Sequence, residues 1–120
     1  MATVAWSITS IKQGIISAQV VLQAGDTSDQ LTTPDYPDKT IQLSGTFGDS
    51  VVNVVGSNLE VGTPTFPLHQ AHSPATTFSA LAAAVGATVI ENPRIIIANA
   101  DGTTGEDLIV TVIARAPRPV

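Results

Sequence analysis

The residues able to do chemistry in this chain are few and fall in three places. Asp26, Asp29, Asp35 and Asp38 lie within residues 25–38, GDTSDQLTTPDYPD. Clustered carboxylates are what the hard Ca²⁺ ion takes as ligands. The D-x-D-x-D-G order with a closing Glu is missing, however. Asp and Pro here fit the turns of a solvated connection. A loop of this length also suits a contact arm reaching a neighbouring subunit, with Tyr36, flanked by Pro34 and Pro37, as its most useful contact residue. His69 and His72 form the second place, three apart, a spacing that puts two imidazoles on one helical face as metal ligands. Pro67 and Pro74 oppose a helix there, and no third ligand accompanies the pair. The third place is the set Glu60, Glu91 and Glu106, scattered among loops and strand ends, where an acid/base pair would need two of them brought together. No G-x-S-x-G elbow, phosphate-binding glycine loop, dinucleotide fingerprint or H-E-x-x-H helix is present. The expectation is a protein that is not an enzyme and holds no metal or cofactor.

The totals point the same way. A chain of 120 residues has room for one domain with one core. The formal charge is −5, from five Lys/Arg against ten Asp/Glu, with no basic cluster, which argues against a nucleic-acid partner. Only 12% of residues are charged and 43% are hydrophobic, against about 25% charged in an ordinary domain. Much of the surface is therefore Ser, Thr, Gln, Asn and small apolar side chains, which suits a protein packed against neighbours. There is no cysteine, hence no disulfide framework or thiolate metal site. No apolar run reaches the roughly 18–20 residues needed to span a bilayer, so no membrane partner is expected. MATVAWSITS lacks the basic and apolar regions of a signal peptide, so synthesis in the cytoplasm is expected.

The elements that must position these residues read mainly as strands. Residues 40–47 alternate strictly, Ile41, Leu43 and Phe47 against Thr40, Gln42, Ser44 and Thr46. Gly48-Asp49 has the order of a two-residue type II′ turn, and Val-rich residues 50–55 follow, so residues 40–57 read as a central hairpin. Residues 4–11 and 15–24 alternate around Lys12-Gln13-Gly14 as an N-terminal hairpin, with Trp6 as a core anchor. Residues 58–75 are irregular and Pro-rich, with Phe66 and Leu68 in a short edge strand. In residues 77–87, TFSALAAAVGA, Phe78, Leu81, Ala82 and Val85 follow helical spacing, with Thr77 to cap and Gly86 to end it. Residues 94–99 and 108–115 are strands. Leu108, Val110, Val112 and Ala114 share one face of the last, whereas Ile109, Thr111, Ile113 and Arg115 make an opposite face only half polar. Ile109 and Ile113 thus call for cover by a partner. The expected fold is all-β: an antiparallel β-sandwich, jelly-roll-like, as a single domain over 1–115, with one short helix near residues 77–86 and an extended tail, 116–120.

Four pieces together, TIQLSGTFGDSVVNVVGSN (40–58), TFSAL (77–81), ENPRIIIAN (91–99) and DGTTGEDLIVTVIAR (101–115), resemble small tailed-bacteriophage head structural proteins, the capsid cement or decoration proteins. The likeness covers 40–115. It departs in the middle, where LEVGTPTFPLHQAHSP (59–74) stands in place of a short tryptophan-bearing hairpin. What the resemblance implies is a sandwich on the outer capsid surface of a virion, made in the host cytoplasm, bridging neighbouring major capsid protein subunits. It also implies self-association as a homodimer or homotrimer. Edge pairing through residues 4–11 and the Ile109/Ile113 face are the two candidate oligomer surfaces. The contact candidates are Tyr36, Phe66, His69, His72, Ile109 and Ile113. The alternative is a head-fibre or tail-associated adhesion or carbohydrate-binding β-module.

Overall fold

A computed structural model of the protein describes residues 2–32, 36, 38–59, 63–70, 73–77, 79–80, 84–88 and 93–116, those from 69 to 88 by backbone alone. In chain order the strands are β1 (Thr3–Val4), β2 (Ser7–Lys12), β3 (Ile15–Leu22), β4 (Thr27–Ser28), β5 (Leu31–Thr32), β6 (Asp38–Thr46) and β7 (Val52–Ser57). They continue as β8 (Phe66–Pro67), β9 (His69–Gln70), β10 (Ser73–Thr77), β11 (Ser79–Ala80), β12 (Ala84–Thr88), β13 (Ile95–Ala100) and β14 (Glu106–Arg115).

Two sheets pack face to face. One runs β1-β4-β13-β7-β11, with β5 beside β13 and β8 beside β7; the other runs β12-β6-β14-β3-β2. β9 and β10 form a separate two-stranded ribbon. One apolar cluster joins the sheets: Val20, Leu22, Ile41, Leu43, Leu108, Val110 and Val112 from the second meet Leu31, Val52, Val54, Ile96 and Ala98 from the first. The alternation of β6 and β14 places these residues inward, because successive strand side chains take opposite faces. β14 is the centre of its sheet, paired with β3 over its last eight residues and with β6 on its other side. The all-β sandwich is as expected.

Three local expectations are corrected. Residues 40–57 are not a hairpin. The turn forms, with the Ser50 N–H donating to the Phe47 carbonyl at 2.8 Å and Gly48 at φ 57°. The strands on either side, however, belong to different sheets: β6 pairs with β14 and β12, β7 with β13, β8 and β11. The segment is an arch that crosses the sandwich. Nor do residues 4–11 form one strand, because Val4 lies in the first sheet and Ser7 begins β2 in the second. Trp6 sits at the crossing, packed on the core, its indole Nε1 donating to the Asp29 carbonyl at 2.7 Å.

The described residues of 77–86 form no helix. Thr77, Ser79, Ala80 and 84–87 are in strands, and Phe78 and 81–83 lie outside the described residues. Ala84 pairs with Leu43 and Ala87 with Ile41, so β12 completes the edge of β6. The physical reason is tertiary. The open backbone edge of β6 offers hydrogen bonds that the alanine-rich segment takes, and helix propensity is a weak prior against such pairing. At the other end of the chain, Ala116 N–H bonds Gly14 O at 2.8 Å, extending the β14–β3 ladder.

Candidate functional site

The outward face of the five-stranded sheet is built in rows. β14 presents Ile109, Thr111 and Ile113, all half-buried, while its alternate residues enter the core. Ile113 is level with Ser17 on β3 and Thr40 on β6, Thr111 with Gln19 and Gln42, and Ile109 with Val21 and Ser44. β2 adds Thr9 beside Ser17 and Ser7 beside Gln19. Not one of these eleven side chains is charged. At strand spacings of about 4.8 Å and roughly 7 Å between same-face residues, the face covers about 14 by 14 Å. Its border toward Arg115 carries an ion pair to Asp38 at 3.8 Å, with both side chains more than half exposed, a pairing that contributes little. A partner held on hydroxyls, amides and branched methyls, with no titrating group among them, would bind with little dependence on pH or salt.

Of the contact candidates, the structure brings together Ile109 and Ile113. Phe66 belongs to the other sheet, in β8 beside Gly56, half-buried against the core. Tyr36 is half-buried ahead of β6. His69 lies in β9, its backbone opposite Thr77, and His72 lies outside the described residues. The residues that share the face with the two isoleucines, Thr111, Gln19, Gln42, Ser44, Val21 and Thr9, were legible only as the outward halves of alternating strands. What the sequence lacked was the strand order that lines them up.

Other carboxylates do structural work, Asp26, Asp49 and Asp101 at the opposite end from Arg115. Both oxygens of Asp26 are taken, Oδ1 by the Ala2 N–H at 3.1 Å and Oδ2 by the Gln23 N–H at 3.0 Å, which ties the N-terminus to the β3–β4 turn. Asp29 Oδ1 accepts from the Gln30 N–H. Asp49, on the arch, accepts from the backbone N–H groups of Thr103 and Thr104 and from both their hydroxyls, at 2.8 to 2.9 Å. Those four donors, the backbone pair foremost, hold its carboxyl well below the usual carboxylate range. Asp101 Oδ1 in turn accepts from the Val51 N–H at 2.7 Å. Two of the loops that cross between sheets, β6–β7 and β13–β14, are clasped together by these bonds. Among the described residues no group of three or more His, Asp or Glu is placed to hold a metal ion, and no helix is long and apolar enough to cross a membrane.

No family model matches the chain, and no curated protein matches it. Among solved structures, the fold is similar to the crystal structure of the SPBc2 prophage-derived protein YomS. The TM-score is 0.58 at 10% sequence identity, over 88% of this chain and 98% of that one. At that identity the likeness is one of fold, and it takes in nearly the whole of the neighbour.

Proposed function

We propose that the chain is a structural protein of a phage particle that docks on the outer surface of the assembled head and bridges neighbouring major capsid subunits as a cement protein. The observation that carries this reading is the uncharged Ser/Thr/Gln face of the five-stranded sheet, with Val21, Ile109 and Ile113 set in it, on a fold whose structural neighbour is prophage-derived. The sequence likeness of 40–115 to head structural proteins supports it. In this reading the protein acts by binding, without catalysis. A protein that binds the closed lattice and not its loosened form stabilises that lattice by mass action, RT ln(1 + [L]/Kd) at each site, and repetition over the shell multiplies a modest contact.

The deciding experiment adds purified protein to undecorated heads and images them by electron cryomicroscopy. Ordered density at lattice symmetry positions is the expected result, little changed by salt because the face carries no charge. Absence of binding at every ionic strength, or attachment to tails or host cells only, overturns the cement reading.

A further inference from the structure

β2 is the outer strand of the five-stranded sheet, and no described strand pairs with its far side. All six of its residues are exposed. Two of them are large and apolar, Ile8 at 58% and Ile11 at 55% exposure. A free edge of this kind is a template for another strand, and natural proteins guard such edges with proline, inward charges or bulges. Here there is no proline and no acidic residue in Ser7–Lys12, and Lys12 is at the far end. The bulge is confined to Ile11, where the pairing with β3 shifts register between Ser10 and Lys12. Ser7–Ser10 is left as a regular, unguarded, uncharged edge.

We infer that a second copy of this chain occupies that edge, β2 against β2 antiparallel, with Ile8 on a two-fold axis. The charges of the described residues favour this occupant and this direction. Asp26, Asp49, Asp101, Glu106 and Asp107 all lie at one end of the sandwich, joined there by the bonds of the arch loops and by the Gln23 side-chain amide to Asp107 at 2.9 Å. Lys12, Arg94, Arg115 and the buried Lys39 lie at the other end together with Asp38, which is paired with Arg115, so that end is net positive. Lys12 and Arg115 both sit level with Ile15, and Arg94 precedes β13, whose last residue is in the acidic end. Parallel pairing would set two acidic ends side by side. Antiparallel pairing sends them to opposite extremes and turns each Lys12 toward the partner's acidic half.

A two-fold axis normal to the sheet keeps each face on its own side, so residues that meet across the junction share a face. With Ile8 on the axis, Ile8 meets its own copy on the core-side face and Ser7 meets Thr9 of the second copy on the outward face. The uncharged rows of the docking face then continue without a break into a ten-stranded sheet. The short edge falls below the roughly 800 Å² per partner of a standard interface, so the dimer dissociates on dilution.

The test needs only the purified full chain, so it can fail while head binding succeeds, and the reverse. Sedimentation velocity across a concentration series is expected to show a reversible monomer–dimer equilibrium. Ile8→Lys sets two like charges on side chains whose Cβ atoms are about 5 Å apart at the axis, and is expected to leave monomer at all concentrations with an unchanged melting temperature. The chain has no cysteine, so Ile8→Cys reports position directly. A short bis-maleimide is expected to link Ile8→Cys chains into dimers and to leave Ile11→Cys, about 20 Å from its mate in this register, largely unlinked. A monomeric wild type at the highest soluble concentration overturns the inference. So does a larger assembly indifferent to Ile8→Lys, or equal linking at both positions.

Discussion

Gly45 offers the sharpest test of the sheet register that lays out the candidate face. It faces a bulge in β14, where the pairing jumps from Glu106–Thr46 to Ile109–Ser44. Asp107, inside that bulge, has a positive φ of 50°, and Gly45 itself is at φ 125°. A Cβ built on Gly45 would land on the Asp107 carbonyl oxygen and lie 3.0 Å from both that carbonyl's carbon and the Leu108 Cα. These are backbone atoms of β14, fixed by the Leu108–Leu22 pairing on one side and the Glu106–Thr46 and Ile109–Ser44 pairings on the other, so they cannot rotate away as a side chain could. Gly45→Ala therefore adds a conformational cost of about 1–3 kcal/mol and an overpacking cost of about 1–3 kcal/mol. We expect about 4 kcal/mol in all, a large share of the roughly 6–18 kcal/mol anticipated for 120 residues.

Gly25 is the matched control. It too has positive φ, 86°, but a Cβ there meets nothing within 4 Å. Gly25→Ala should cost only the left-handed backbone term, about 1–2 kcal/mol, partly offset by a stiffer unfolded chain. Unfolding entropy for a chain of this length is about 0.25 kcal/mol per degree. Gly45→Ala is thus expected to melt about 16 °C below wild type and Gly25→Ala about 4 °C below, also on the entropy scale of about 2 cal/mol/K per residue. Scanning calorimetry with urea titration measures both. If the two variants melt together, the Asp107 carbonyl is not where the bulge puts it, and the alignment of Ile109 with Ser44 and Val21 falls with it.

Three further outcomes follow from the same geometry. Asp49, with its folded pKa depressed, contributes stability that is complete above the ordinary carboxylate value of about 3.9 and is lost as pH falls through the folded value. Asp49→Asn should accordingly be less stable than wild type at neutral pH, with the gap closing in strong acid; urea midpoints across pH measure it, and a gap that persists in strong acid refutes the clasp. Lys39 is 1% exposed on the core side of β6, level with Ala114, and desolvation lowers its pKa despite Asp38. The unfolded chain binds its proton more tightly, so stability should rise as pH climbs through the folded value toward about 10.4, and Lys39→Met should abolish that rise in alkaline urea titrations. Thr111→Lys, in the middle row of the uncharged face, should leave the melting temperature within about 2 °C, as surface changes do, while weakening head binding at least tenfold in a co-sedimentation assay.

How far the sequence reaches is shown by the arch at 40–57. Everything local there was legible: the period-two alternation of Ile41, Leu43 and Phe47, the positive-φ need at Gly48, the Val-rich return. A hairpin and an arch share those local signals, however. They differ in whether the chain after the turn bonds its predecessor or rotates to face it across a core, and that choice is made by distant residues. Here Thr103 and Thr104, more than fifty positions away, bond the exposed Asp49 and so tie the arch to the β13–β14 loop. The segment around 77–87 fails for a related reason, since its alanines satisfy helical spacing and also fit the open edge of β6. The candidate face follows the same rule. Ile109 and Ile113 were visible as outward apolar residues of one strand, but the lateral rows exist only once β3, β14 and β6 lie side by side. A contact surface on a sheet is written across strands, at right angles to the direction in which a sequence is read.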